Sequence, residues 1–350
     1  MEIKERFKGC LLGGAIGDAL GYPVEFMSLN QIKHTYGQKG LTNLIINNNT
    51  AIISDDTQMT LFTADGLVLA YRSSSEQGVS LDVGSVTYQS YLRWLYTQTG
   101  EIKDDQLLQK TSDEQKDIEN PFILDVKELH SRRAPGNTCL SALESGVMGT
   151  MENSINHSKG CGGVMRVAPV GLFLHKKPKA AFQIAAELAA ITHGHPTGYL
   201  AAGAFAMIIA EILNDTSIKA SINNAVEILK EYDGHKETLA AIQKAIELSL
   251  SDTSIEMAIR EIGEGWIAEE ALAIALYCAL KETDFEKALV MSINHDGDSD
   301  STGSICGNIL GARLGLKRIP DKWIAVVELR TFIESMSDKL FEAYELQGKK

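Results

Sequence analysis

Two glycine ladders constrain the fold of this chain more than any other feature. Gly9, Gly13, Gly17 and Gly21 recur every four residues, and so do Gly303, Gly307, Gly311 and Gly315. On a helix, positions four apart share one face, so each ladder predicts a stripe almost free of side chains. An interior Gly costs about 1 kcal/mol relative to Ala, and each stripe gives up roughly 3–4 kcal/mol of helix stability. Two gains could offset that cost: close approach of a second helix, or access for a bulky ligand. Membrane helices use the same spacing to dimerise, but Asp18, Asn308 and Arg313 place these segments in water. Of the 30 glycines, 17 fall within residues 9–21, 136–171 and 297–315, so a function is sought there first.

Helix signals fill the rest of the chain. Residues 56–72, 82–98, 178–192, 197–213, 217–231, 236–250, 268–281 and 320–346 carry apolar residues at three- and four-residue spacing. The alanine-rich stretch 268–276 adds high helix propensity. Alternating patterns are nearly absent, and only Leu41–Ile46 suits a short strand. The expected class is all-α, with many short helices around one core. No linker composition or repeat of period 20–50 interrupts the chain, so residues 1–350 read as one domain. Residues 100–120, with Lys103-Asp104-Asp105 and Thr111-Ser112-Asp113-Glu114, read as a polar surface loop or hairpin.

Composition excludes several function classes. Acids outnumber bases 46 to 33, and the resulting charge of −13 argues against nucleic-acid partners, whose backbones need clustered Lys and Arg. No apolar run of about 18 residues is expected to span a membrane. The start, Met1-Glu2-Ile3-Lys4-Glu5-Arg6, is too charged for a signal peptide. Five cysteines without C-x-x-C spacing suggest reduced thiols in a cytoplasmic protein, with neither disulfides nor a zinc site.

Carboxylates gather at two helix edges. Ile53-Ser54-Asp55-Asp56-Thr57 opens a helix, where Ser54 or Asp55 is a good N-cap and acids suit the helix dipole. Capping accounts for one of these acids well and for both adequately. The second cluster, Asp296-Gly297-Asp298-Ser299-Asp300-Ser301, also precedes a helix. Its alternating acids repel one another unless a cation sits among them. Hard divalent ions take carboxylate and hydroxyl oxygens, and Mg²⁺ usually keeps several waters. The two edges, with Ser54 and Ser301 beside them, could hold two ions about 3.5–4 Å apart. An EF-hand is excluded, because no Glu follows at the required position.

The middle glycines offer Ser158-Lys159-Gly160-Cys161-Gly162-Gly163-Val164-Met165-Arg166. This is neither a P-loop nor a dinucleotide fingerprint, since Met165 takes the last Gly position. Such a loop can still turn N–H groups toward phosphate, although a tight turn between helices is the plainer reading. His193-Gly194-His195-Pro196 follows a helix end and suits hydrogen-bonded structure better than a ligand pair. No cysteine has a convincing base beside it for nucleophilic catalysis. A phosphohydrolase using His295-Asp296 would need a second His on an upstream helix, and His193 and His195 flank a turn instead.

Taken in order, these pieces resemble the ADP-ribosylglycohydrolase family. The stretches that carry the resemblance begin with Gly13-Gly14-Ala15-Ile16-Gly17-Asp18-Ala19-Leu20-Gly21-Tyr22-Pro23-Val24-Glu25, Ser54-Asp55-Asp56-Thr57 and Gly136-Asn137-Thr138. Gly160-Cys161-Gly162-Gly163-Val164-Met165-Arg166, His193 with Gly198-Tyr199, and Gly297-Asp298-Ser299-Asp300-Ser301 follow, so the resemblance runs nearly the whole chain.

The resemblance implies a compact orthogonal multi-helix bundle with a binuclear cleft holding two Mg²⁺ (Mn²⁺ possible). Ser54, Asp55, Asp56, Asp298, Asp300 and Ser301 would be the metal ligands; Ser stands where the family usually has Thr, which keeps the hydroxyl. The phosphates of ADP-ribose would lie on Ser158, Lys159, Gly160, Cys161, Gly162 and Gly163, with Asn137, Thr138 and His193 also binding substrate. Glu25, Asp55 and Asp300 would be the catalytic carboxylates. One departure is that several relatives carry Asp just ahead of Gly-Asn-Thr, where this chain reads Arg133-Ala134-Pro135. The implied activity is release of ADP-ribose from a modified protein side chain, arginine preferred over serine. The alternative is an ADP-ribose-binding or structural relative without turnover.

Overall fold

The computed structural model describes residues 2–77, 82–102, 104–111, 114–115 and 121–347. Their α-helices run α1 Ile3–Gly21, α2 Leu29–Tyr36, α3 Asp55–Gln77, α4 Val83–Thr99, α5 Asn137–Glu144, α6 Ala168–Phe173, α7 Pro178–Ala190 and α8 Pro196–Leu213. The second half adds α9 Ile218–Leu229, α10 Lys236–Leu250, α11 Ile255–Ile262, α12 Ala268–Lys281, α13 Phe285–Ile293, α14 Ser299–Leu314, α15 Asp321–Ile324 and α16 Arg330–Gln347. No strand occurs among the described residues, where only isolated bridges form.

The two glycine ladders meet each other. Gly9 of α1 packs on Gly311 of α14, Gly13 on Gly307, Gly17 on Gly303 and Gly21 on Ser299. Each step of four forward along α1 is a step of four back along α14, so the pair is antiparallel and in register. Asn308 locks that register, donating to the Cys10 carbonyl at 2.8 Å. Of the two gains that could offset the glycines, close helix contact is the one observed. The pair stays in backbone contact at all four rungs because no ladder side chain holds it apart.

Around this pair the periodic segments form helices close to their expected bounds, with three departures. Leu41–Ile46 is not a strand, because the side chain of Asn294 takes both polar groups of Leu41 (2.8 Å each). The expected helix over 320–346 breaks into α15 and α16. Residues 326–328 bond the backbone of Ala51 instead, and Leu329 turns to φ 58. Helix α8 is long and apolar enough to cross a membrane, contrary to the sequence expectation, yet it is 89% buried in the core. In the polar segment 100–120, residues 103, 112–113 and 116–120 lie outside the described residues. Its described part is tethered: buried Arg93 donates to Leu107 O (2.8 Å) and pairs with Glu114 (2.9 Å).

Candidate active site

Helix α1 organises the site with a second face. Beside the ladder it carries Asp18, fully buried, which accepts the N–H groups of Ser54 (2.9 Å) and Thr57 (3.1 Å) and the Thr57 hydroxyl. Asp18 thus caps α3 from outside, supplying acceptors that the first helical turn lacks. Asp55 is fixed from the other side, its N–H on Arg133 O and its Oδ2 on Gly136 N–H, both at 3.2 Å. Arg133 in turn holds Glu328 with two bonds (2.8 and 3.1 Å) and donates to Ile53 O at 2.9 Å. The neighbouring Ala134 sits at φ 50, a left-handed conformation that costs a non-Gly residue about 1–3 kcal/mol.

Helix α14 brings the second acidic edge. Asp298 is its N-cap, with Oδ1 accepting Ser301 N–H at 3.2 Å and Oδ2 accepting the Cys161 thiol at 2.7 Å. Asp300 Oδ1 also accepts Ser301 N–H (3.0 Å), and Ser301 Oγ donates to Asp56 Oδ2 at 3.4 Å, joining the two edges. Gly297 at φ 115 permits this arrangement, since a β-carbon there would overlap the Glu264 carbonyl. Two helix N-termini therefore converge, each with the positive end of its dipole among carboxylates.

Between them lies a cavity of about 560 Å³, within the roughly 300–1,000 Å³ of small-molecule sites. Glu25, Asp55, Asp56, Asp298, Asp300 and Ser301 line it together with Asn137, Thr138, Gly160, Cys161, Gly162 and His193. Glu25 Oε2 and Asp56 Oδ1 are buried with no hydrogen-bond partner. Burial, and then Asp298, Asp55 and Asp18, push the Glu25 carboxyl up to about 9. Asp55, Asp56 and Asp300 are likewise held well above the usual carboxylate range, by burial first and by neighbouring carboxylates next. Asp18 is raised by burial only to about 6, because the bonds it accepts from Thr57 and Ser54 oppose the shift.

Five carboxylates lining one cavity are costly without a cation, and orphaned oxygens mark where one would sit. The donor set, hard oxygens with one hydroxyl, fits divalent ions of the Mg²⁺ class. Among the described residues no three His, Cys, Asp or Glu side chains already converge as a finished coordination shell. The fit therefore rests on the shared cavity and the unpartnered oxygens.

Comparison with known proteins decides what this architecture is. The sequence model of the ADP-ribosylglycohydrolase family matches residues 1–350. The chain belongs to the ADP-ribosylglycohydrolase family. It is similar to the ADP-ribosyl-[dinitrogen reductase] glycohydrolase of Rhodospirillum rubrum, 23% identical over 94% of this chain and 92% of that protein. Similarity extends to the ADP-ribosylarginine hydrolase Tri1 of Pseudomonas putida, 21% identical over 97% and 79% of the two chains. A solved ADP-ribosylglycohydrolase-related protein complex shares the fold, with TM-score 0.68 and 22% identity over 98% of this chain and 99% of that one.

Within this ADP-ribosylglycohydrolase fold, four sequence-selected residues stand apart from the cavity. Ser54 is fully buried behind it, and its Oγ accepts Asp56 N–H at 3.3 Å, a capping task. Lys159 turns away, holding Glu269 (2.7 Å) and Glu237 (2.8 Å). Ser158 bonds the Thr138 hydroxyl (3.0 Å) and Gly163 packs under Ala189, so neither lines the cavity. The rest of the loop does reach it. Cys161 N–H bonds Trp266 O at 3.2 Å, and a β-carbon on Gly162 would stand 3.0 Å from His193 Cε1.

Sequence reasoning missed the support behind the loop. Arg166 is fully buried, lies 4.3 Å over the Tyr91 ring, and donates to Leu188 O (3.0 Å) and Thr192 Oγ1 (2.8 Å). The same Thr192 oxygen hydrogen-bonds His193 Nδ1 at 2.8 Å, so Arg166 holds the imidazole in place through Thr192. Burial and then Arg166 lower the His193 pKa to about 3, so its ring is neutral. The dipeptide Met165-Arg166 after a glycine loop was the available signal, and nothing in its spacing announced a buried cation. Also missed was the stacked pair at the cavity, Phe26 and Trp266, with ring centroids 5.7 Å apart.

Proposed function

We propose that this protein is a Mg²⁺- or Mn²⁺-dependent hydrolase that releases ADP-ribose from modified protein side chains, with the N-glycosidic bond to arginine as its preferred substrate. The observation that carries this reading is the meeting of two acidic helix starts in one cavity, with buried oxygens of Glu25 and Asp56 left unpartnered. The name of the Pseudomonas putida relative, an ADP-ribosylarginine hydrolase, supports the arginine linkage.

Asp55, Asp56, Asp298, Asp300 and Ser301 would hold the ions, with Ser54 as a donor only if it gives up its cap. Bound ions of this kind fix ribose hydroxyls and lower the pKa of water. Glu25 stands beside this cluster with a free Oε2, suited to take the proton of the attacking water and return it to the departing nitrogen. The surrounding carboxylates would stabilise positive charge developing at the ribose carbon. Gly160–Gly162 and neutral His193 border the side where a diphosphate would lie, so the loop need contribute no charge of its own. The strained Arg133-Ala134 turn and Gly136 hold Asp55 by backbone bonds.

The test is an assay on arginine- and serine-ADP-ribosylated proteins, with and without metal, reading released ADP-ribose. Release from the arginine linkage that ceases on chelation is expected. Tight ADP-ribose binding with no release from either linkage would replace this reading with a binding protein.

A further inference from the structure

The carboxylate cavity also contains sulfur. Cys161 Sγ lies 2.7 Å from Asp298 Oδ2, and Cys161 belongs to the cavity lining. A second sulfur, Met165 Sδ, sits 3.9 Å from Ser301 Oγ on the same wall of side chains. Asp56, 2% exposed, lines the same cavity with Oδ1 unpartnered, while its other oxygen accepts the same Ser301 hydroxyl at 3.4 Å. The Ser301 hydroxyl thus lies between a carboxylate with one unpartnered oxygen and a thioether, and Asp298 joins the second acidic helix start to a thiol.

Hard ions such as Mg²⁺ gain little from sulfur, whereas thiolate and thioether donors select soft or borderline ions. We infer that Cys161 is a metal donor at this site, so that the cavity takes a thiophilic divalent ion through sulfur as well as a hard ion through oxygen. This rests on the proposed metal-dependent reading and adds a ligand that the oxygen set does not contain. On binding, the thiol would give up its proton to solvent and the sulfur would bond the ion in its place. The bond from Cys161 to Asp298 is given up, which frees Asp298 Oδ2 to bind the same ion. The remaining cysteines do not compete. Cys10, Cys278 and Cys306 are buried in the hydrophobic core; Cys139 also lines the cavity, but its sulfur accepts from Arg166 Nη1 at 3.5 Å, and Cys139→Ser is the control for it.

The probe is Cd²⁺, titrated into metal-stripped full-length protein while the ultraviolet thiolate-to-cadmium charge-transfer band is recorded. Mg²⁺ binding is followed in parallel by thermal shift. Wild type and Cys139→Ser should show the band. Cys161→Ser and Cys161→Ala should lack it and bind Cd²⁺ about 10- to 100-fold more weakly, the scale on which metal sites respond to lost supporting groups. The Mg²⁺ shift of both Cys161 variants should be retained, which also reports that they fold. A wild-type protein stabilised by Mg²⁺ but showing no cadmium band would overturn the inference and leave the hydrolase reading standing. A band that survives in Cys161→Ser would overturn it too, since another thiol must then be responsible. Absence of any response to either ion would remove both readings together.

Discussion

A β-carbon added to Gly9 would stand 2.6 Å from the carbonyl oxygen of Gly311, and each lower rung of the ladder is tighter still. This contact sets where the chemistry sits. With α1 and α14 in register through four turns, Gly21 ends against Ser299, which places Glu25 beyond one helix end and Asp298 and Asp300 at the start of the other. Gly307→Ala would drive a methyl into the backbone of Gly13, carbonyl oxygen and carbon alike. The added helix propensity gives back about 1 kcal/mol, less than the upper part of the 1–3 kcal/mol typical of overpacking. Backbone cannot yield as a side-chain tip does, so a net loss of about 1–2 kcal/mol is expected. Gly84→Ala, where the nearest atom is the Asp82 side chain at 3.3 Å, should be neutral or stabilising. Urea denaturation of the two variants checks the contrast.

Asp18 is the hinge pin between the ladder and the first acidic edge. Its carboxylate accepts from Ser54 N, Thr57 N and the Thr57 hydroxyl, and an amide could offer only one oxygen to these three donors. Asp18→Asn should therefore destabilise by about 2–3 kcal/mol, the range for hydrogen bonds to a charged group. It should also weaken Mg²⁺ binding at least about 10-fold through displacement of Asp55 and Asp56, although Asp18 does not line the cavity. Calorimetric titration with Mg²⁺ reads the second effect separately from the first.

If the cavity holds metal as proposed, proton linkage gives that binding a pH signature. Glu25 is raised to about 9, and Asp55, Asp56 and Asp300 are also raised, all chiefly by burial. For a carboxyl whose folded pKa exceeds its unfolded value, stability is complete below the unfolded pKa of about 4 and is lost as pH rises toward the folded one. Metal-free protein should accordingly lose stability between about pH 5 and 9. Cations relieve the repulsion, so the Mg²⁺-induced rise in Tm should grow across the same window, with protons released on binding. Equal Mg²⁺ shifts at pH 5.5 and 8.5 would contradict this.

The buried imidazoles act in the opposite sense. His193 is lowered to about 3, and His175 and His295 are lowered too, in each case mainly by burial. A histidine with a depressed folded pKa contributes stability that is intact above its unfolded pKa near 6.5 and is lost as pH falls below it. His193→Gln removes one such group, so the stability of this variant should decline less steeply than wild type between pH 6 and 4. Parallel urea titrations at those two values measure the difference.

Much of this was legible in the sequence, and the exceptions share a cause. The ladders exposed themselves because a four-residue period in glycine has few uses on a helix besides close approach of a second helix or of a ligand. Helices α3 to α4 and α7 to α10 showed their apolar stripes over long windows. Helices α2, α5, α6, α11 and α13 span six to nine residues, too few turns for periodicity to emerge. At the site, the acids were visible as clusters because charge repulsion makes them conspicuous. Direction was not: nothing in Ser158-Lys159-Gly160 states that Lys159 points outward to Glu237 and Glu269, or that Ser54 spends its hydroxyl on a cap. Contacts between distant segments, such as Arg133 with Glu328, leave no local trace at all.

The orientation of Lys159 sets what its loop's sequence suggests against what its fold allows. Read as sequence, Lys159 is the obvious cation for a diphosphate. Folded, it is tied to Glu269, whose side chain is only 8% exposed, while Arg132 is the cation that lines the cavity among the described residues. Lys159→Ala should thus cost about 1–2 kcal/mol of stability by stranding a buried carboxylate. Its ADP-ribose affinity should stay within about two-fold of wild type, since no charge is withdrawn from the cavity. Arg132→Ala should do the reverse, leaving stability nearly unchanged and weakening ADP-ribose about two- to five-fold, as an exposed ion contact is worth up to about 1 kcal/mol. Raising salt should narrow the gap between wild type and Arg132→Ala but not alter Lys159→Ala relative to wild type. Fluorescence or calorimetric titration of ADP-ribose into the three proteins, each with its own urea curve, separates the two roles. A Lys159→Ala protein that is fully stable yet binds ADP-ribose poorly would place the lysine in the cavity after all.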